Sequence, residues 1–200
     1  MNLGTLPAFI TGFYLLTQLA SIIAYIKFTN LKCENYDKSF LNFRKCDLKA
    51  LSRNKVALTV DVQIFQLPIR NFSVNLDVYR KANGYRPFLF NITTNFCEFF
   101  KNRKRLPFGK LIMDAVELYS NLNHSCPFNV RCHVLKLVCF SFYNNSYNFK
   151  HDLIVKDLVL QNEQLQSLPA PTGEYLLRIT AAFYNVWKFK VHAYIQIVEE

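Results

Sequence analysis

The chain of 200 residues carries 24 Lys and Arg against 14 Asp and Glu, a formal net charge of +10, and is 51% hydrophobic and 16% aromatic. That much apolar material suffices for the core of one domain, and with only 5 Gly and 7 Pro it excludes a disordered, collagen-like or low-complexity chain. The basic excess would suit nucleic acid, but its densest run, Lys101-Asn-Arg-Lys-Arg105, has no interleaved aromatic residues for stacking bases. It reads as a solvated loop, with attraction to anionic lipid headgroups as its other role, and no nucleic-acid partner is expected.

The chain opens on Met1 to Ile26 without a single Asp, Glu, Lys, Arg or His, and small residues (Ala20, Ser21, Ala24) stand near the end of that stretch. Residues 1–24 therefore read as a secretory signal peptide, leaving one domain over 25–200. The run from Leu6 to Ile26 is also long enough to span a bilayer, so an uncleaved anchor is the alternative. Once the signal is cleaved, the protein is expected to be extracellular and to touch membranes without spanning them. In that compartment six Cys read as a disulfide framework, whose connectivity the spacing leaves open. No C-x2-C pair suggests zinc. The sequons at Asn71, Asn91, Asn123 and Asn144 agree with secretion, although Cys126 follows Asn123 closely.

After Lys27 the chain alternates with period two, the mark of strands with one dry face. Val56, Leu58, Val60, Val62 and Ile64 form one such row, and Phe72, Val74, Leu76 and Val78 form the next, with Pro68 in the turn between them. Asn83-Gly84 signals a reversal into a third row of Phe88, Phe90 and Ile92. Asn71 and Asn91 fall on the polar faces, where a glycan must be. From Cys97 to Tyr119 the period lengthens. Leu111, Ala115 and Leu118 with Ile112, Val116 and Tyr119 describe an amphipathic helix opened near Pro107, behind a short helix at Cys97 to Lys101. Strands resume at Leu153 to Leu160. After the turn Leu168-Pro-Ala-Pro-Thr-Gly173 come Tyr175, Leu177, Ile179, Ala181 and Phe183, and then Trp187, Phe189, Val191, Ala193, Ile195 and Ile197. Seven or eight antiparallel strands predict an all-β sandwich with a helical excursion near residues 97–119.

Val130 to Lys150 does not fit this pattern. Its 21 residues contain two Cys, no acid and a polar aromatic tail, and removing them joins Asn129 to His151 in a tight turn. Valine codons begin with GT and a lysine codon can end in AG, so the segment reads as a retained in-frame intron. The alternative is a hairpin insert stapled by Cys132 and Cys139. Without it Cys33, Cys46, Cys97 and Cys126 remain. Pairing Cys33 with Cys46 would tie the first two strands, and pairing Cys97 with Cys126 would clamp the helical excursion.

Several motifs occur in one order: Phe28-Thr-Asn-Leu-Lys-Cys33, Cys46-Asp-Leu-Lys-Ala-Leu-Ser-Arg-Asn54, Lys81-Ala-Asn-Gly-Tyr-Arg-Pro-Phe-Leu89, Asn95-Phe-Cys97, Tyr119-Ser-Asn-Leu-Asn-His-Ser-Cys-Pro127, His151-Asp-Leu-Ile-Val155 and Leu168-Pro-Ala-Pro-Thr-Gly-Glu-Tyr175. In this order they resemble an uncharacterised insect family of small secreted proteins. That family is similar to the CheB-type chemosensory proteins of flies, distant members of the ML lipid-recognition superfamily. The resemblance runs from about Ile26 to Glu200 and is interrupted by Val130 to Lys150. It implies an immunoglobulin-like, ML-type antiparallel β-sandwich whose sheets part to hold an acyl chain or similar apolar ligand.

No nucleophile elbow, zinc-protease helix or phosphate-cradling glycine loop is present. His124, His133, His151 and His192 are scattered, and Asp152 beside His151 has no candidate nucleophile. Neither an enzyme, a cofactor nor a metal is expected. The function expected is that of a secreted carrier or presenter of a small apolar molecule (a lipid, hydrocarbon or pheromone-like compound), acting at chemosensory surfaces. Candidate wall residues are Val74, Leu76, Phe88, Phe90, Ile179 and Phe189, with Leu111 and Val116 in a lid. The alternative is an extracellular interaction module that binds a receptor through its surface and has no small-molecule ligand.

Overall fold

A computed structural model describes residues 24–123, 152–161 and 170–199. The expectations for the signal segment over 1–23, for Val130 to Lys150, for Cys126, Cys132 and Cys139, for His124, His133 and His151, and for the Asn144 sequon lie outside the described residues. Strand makes up 63% and helix 14% of the described residues. The strands are β1 (Ala24–Asn35), β2 (Leu41–Ser52), β3 (Lys55–Ile64), β4 (Phe72–Ala82), β5 (Gly84–Asn95), β6 (Leu153–Val159), β7 (Gly173–Phe183) and β8 (Val186–Glu199). Between β5 and β6 stand helix α1 (Phe96–Lys101), a 3-10 turn (Arg103–Arg105) and helix α2 (Pro107–Glu117).

All pairings among these strands are antiparallel, in a five-stranded sheet of order β1-β8-β7-β4-β5 and a three-stranded sheet of order β2-β3-β6. The inner rows read from the sequence hold in β3, β4 and β7. Leu58, Val60, Val62, Ile64, Phe72, Val74, Leu76, Ala181 and Phe183 all belong to one buried core. Asn83-Gly84 makes the expected reversal, with Gly84 at φ 97°, where a Cβ would be strained.

Bulges decide the orientation of the remaining strands, because one extra residue transfers the dry row from one parity to the other. The β1–β8 register shifts between Phe28 and Asn30, so the inner row runs Ile26, Phe28 and then Leu31, Cys33. The β2–β3 register shifts between Phe43 and Lys45, so Leu41 and Phe43 are followed on the inner side by Leu48. Cys46 shares that parity. The two shifts together bring Cys33 and Cys46 to a Cα separation of 6.3 Å, and they form a disulfide. It does more than tie consecutive strands, since β1 and β2 belong to opposite sheets. Cys97, at the start of α1, is also disulfide-bonded; its expected partner lies outside the described residues.

A further shift, at Ala181/Ala182 opposite Trp187 and Phe189, corrects the expectation for β8. Phe189, Val191, Ala193 and Ile197 are buried, but Trp187 turns outward and is 44% exposed.

One end of the sandwich is closed by aromatic packing. Phe183 stacks on Phe40 at 5.2 Å and on Phe72 at 4.8 Å, and Phe72 meets Phe96 at 4.8 Å. Leu41, Ile69 and Phe183 are wholly excluded from solvent there. The β1–β2 turn is pinned at this end by Asp37, whose Oδ1 accepts from Ser39 and the Phe40 amide while Lys188 Nζ donates to Oδ2 at 2.6 Å. The Lys188 hydrogen bond, followed by that of Ser39, holds the Asp37 carboxyl down to about 2.

Two outcomes follow. Replacing Cys33 and Cys46 by Ala should lower the unfolding free energy by ~3 kcal/mol, read from the denaturant midpoint of secreted protein. Asp37 is depressed in the fold, so its stabilisation is complete above its ordinary value of 3.8 and is lost as pH falls toward about 2. The stability gap between wild type and Asp37→Asn should therefore close across that window, and a gap constant with pH would assign the turn no such role.

Candidate functional site

The two sheets face each other across the core and are joined through β1 and β2 by the Cys33–Cys46 bond. They enclose an apolar cavity of about 300 Å³. Its first wall is the five-stranded sheet, through Val74, Leu76 and Val78 of β4, Leu177 and Ile179 of β7, and Phe189, Val191 and Ala193 of β8. The second wall is the three-stranded sheet, through Leu58, Val60 and Val62 of β3 and Leu153, Val155 and Leu158 of β6. Among the described lining residues only Thr94 and Tyr175 have a side chain that carries an oxygen or nitrogen. The Tyr175 hydroxyl is occupied, donating to the Pro171 carbonyl, and burial pushes its pKa upward.

The helical excursion covers the remaining side. Asn95 ends β5 and caps α1, its Oδ1 accepting from the Cys97 and Glu98 amides at 2.9 and 3.2 Å. Pro107 occupies the first turn of α2, where its missing N–H costs nothing. One stripe of α2 (Phe108, Leu111, Ile112, Ala115, Val116) faces the cavity, and Phe108 stacks on Phe90 at 4.7 Å. A Cβ on Gly109 would stand 3.3 Å from the Phe99 ring, a close contact that the glycine relieves. Arg103 holds the 3-10 turn to the end of α2 by an ion pair with Glu117 at 2.9 Å and lies 4.3 Å from the Phe100 ring. The basic run is thus partly tied down, while Lys101, Lys104 and Arg105 are exposed.

Beyond α2 the chain returns to the three-stranded sheet. Lys156 N donates to the Tyr119 carbonyl at 2.8 Å, and Ser120 bridges Val155. Asn121 acts as a strand residue with its side chain, Nδ2 donating to the Asp152 carbonyl at 2.6 Å and Oδ1 accepting from the Ile154 amide at 2.9 Å. These bonds bring Leu122 to the cavity rim.

Of the residues singled out from the sequence, Val74, Leu76, Phe90, Leu111, Val116, Ile179 and Phe189 line the cavity. Phe88 does not, and that placement is corrected. The β4–β5 register passes from Asp77↔Asn91 to Tyr79↔Pro87, and Leu89 takes φ 65°. This bulge breaks the alternation, so Leu89 reaches the rim while Phe88 packs in a separate small cluster against Tyr175, with ring centroids 5.7 Å apart. Asn91 and Asn123 are exposed, whereas Asn71 is half-buried with its Nδ2 directed at Asn185 Oδ1, 3.3 Å away. The sequence reading missed Phe96, Phe99 and Phe108. Carrying the helical spacing of Leu111 and Ile112 back one turn would have found Phe108. Among the described residues no group of three or more His, Cys, Asp or Glu could hold a metal ion, and no helix is long and apolar enough to cross a membrane.

Residues 74–139 match a family model described as a protein of unknown function (DUF1091). In the fold this match takes in β4, β5 and both helices, which form part of one wall and the cover of the cavity. It ends inside the segment Val130 to Lys150. A search of curated proteins finds no match.

Asn121→Ala removes both side-chain bonds of the α2–β6 junction and leaves two backbone groups to find water. It should destabilise the protein by about 1–3 kcal/mol and accelerate amide hydrogen exchange over residues 119–122 and 153–156 more than in β7. Uniform acceleration in both regions would show that the junction does not act locally.

Proposed function

We propose that this protein is an extracellular carrier of a small apolar ligand, held between its two sheets without chemical change. The observation that carries the reading is the cavity itself, whose volume of about 300 Å³ is at the small end of ligand pockets and whose surface is almost wholly apolar. Such a surface favours an alkyl chain through burial alone, at roughly 0.8 kcal/mol for each methylene removed from water. The inter-sheet disulfide fits an oxidising compartment, and the charge-free N-terminal stretch with its downstream sequons supports secretion.

The ordered motifs from Phe28 to Tyr175 support kinship with the CheB-type and ML lipid-recognition proteins. On that kinship the fold is of the ML type, and the ligand is a lipid, hydrocarbon or pheromone-like molecule presented at a chemosensory surface. A second reading, an interaction module, is supported by the exposed Tyr184, Val186 and Trp187 around the β7–β8 turn.

The test is native mass spectrometry with lipid extraction on full-length protein secreted from insect cells. Wild type should carry a co-purifying apolar ligand, and Ala115→Trp, which fills the cavity from α2, should reduce its occupancy at least tenfold. Leu118→Trp, on a residue that is 89% exposed, should leave occupancy unchanged. Well-folded protein that stays empty after exposure to fatty acids and hydrocarbons would reject the carrier reading and favour the interaction module.

A further inference from the structure

We propose that Arg80 binds the anionic head of a single-chain amphiphile whose tail fills the cavity; this rests on the carrier reading and names its ligand class. β4 pairs with β7 without a break from Phe72↔Phe183 to Arg80↔Tyr175. The alternation that turns Phe72, Val74, Leu76 and Val78 inward therefore continues to Arg80, one step beyond the last β4 residue of the cavity wall. Opposite Arg80 is Tyr175, which lines the cavity. An arginine thus ends an otherwise apolar inner row.

Its surroundings leave that charge unanswered. Arg80 is half-buried, its guanidinium lies 6.0 Å from the Phe88 ring, and one of its Nη groups donates to the Thr172 carbonyl at 3.3 Å. Among the described residues no carboxylate forms an ion pair with it. The acids on neighbouring strand positions are engaged elsewhere: Glu174 with Lys81 at 2.8 Å, and Asp77 with Arg178 at 2.7 Å. Its cross-strand partner on β5 is Arg86, so two like charges face each other on one side of the sheet. Such a pair is unfavourable by itself and becomes favourable when an anion lies between the two groups. Gly173, at φ 148°, passes beside the guanidinium, and even a Cβ there would lie 3.6 Å from Arg80 Nε.

A guanidinium with free N–H groups beside an apolar space matches a carboxylate or phosphate, whose paired oxygens accept two parallel hydrogen bonds. The small cavity limits the tail to one chain. Acid and phosphate heads share this chemistry, and the probes below separate them.

The experiment measures binding of dodecanoate, dodecyl phosphate and dodecanol to full-length secreted protein by calorimetry at pH 7 and low salt. Wild type should bind at least one of the two anions tenfold or more tightly than dodecanol, and the better anion identifies the head. Arg80→Met should remove that preference while leaving dodecanol affinity within twofold, which also shows that the variant is folded. Arg80→Lys should restore part of it, and added salt should narrow it. Equal binding of anions and alcohol by wild type, or a preference that survives in Arg80→Met, would overturn the assignment of Arg80 and leave the carrier reading standing. Absence of binding by all three probes would overturn both.

Discussion

Two apolar sheet faces brought together in water collapse onto each other unless the contacts around their rim hold them apart. That constraint governs this protein. A space between the sheets leaves its lining atoms without dispersion partners on one side, so it is maintained at a cost in stability. Here the rim is set by the stacked Phe40, Phe72 and Phe183 at the closed end, by the Cys33–Cys46 bond across the sheets, and by α2, whose Phe108 stacks on Phe90 of β5. A chain of methylenes in the space would recover the missing contacts, so the stability of the fold and the affinity for such a ligand are two sides of one free energy.

The bulges are the means by which an ordinary strand pattern acquires this geometry. In β1 and β2 they reverse the parity of the inner row and bring the two half-cystines onto facing sides. In β5 the bulge directs Phe88 away and Leu89 to the rim, and in β8 it places Trp187 in solvent. β4 and β7, which run without a shift against each other, carry the longest unbroken wall.

The charges are arranged to match. Arg44 spans the outer face of the three-stranded sheet, reaching Asp61 at 2.7 Å and Asp152 at 2.5 Å. Asp77, buried on the outer side of the five-stranded sheet, is held by Arg178 at 2.7 Å. These pairs lie on the faces turned away from the cavity. Arg80 differs from them in lying on an inner row and, among the described residues, in forming no ion pair, which is why a net basic chain presents positive charge at the end of an apolar space.

Much of this was legible in the residues. Period two in β3, β4 and β7 identified the dry rows, because a strand with one buried face must alternate, and the lengthened period from Pro107 onward identified α2 for the corresponding reason. The all-β class and five of the cavity-lining side chains (Val74, Leu76, Ile179, Leu111 and Val116) followed from those rows, and Phe90 and Phe189 from the rows of β5 and β8. What the pattern could not convey is where an extra residue changes parity. A bulge is chosen by the partner strand and by local φ, as at Leu89 and Asp157, and leaves no periodic trace. Nor could it tell a dry row that packs against another from one that faces a void, since both demand the same apolar side chains. The sequence by itself determined which side chains avoid water; only the tertiary structure, by setting the register and the distance between the sheets, decided which of them touch each other and which line a space.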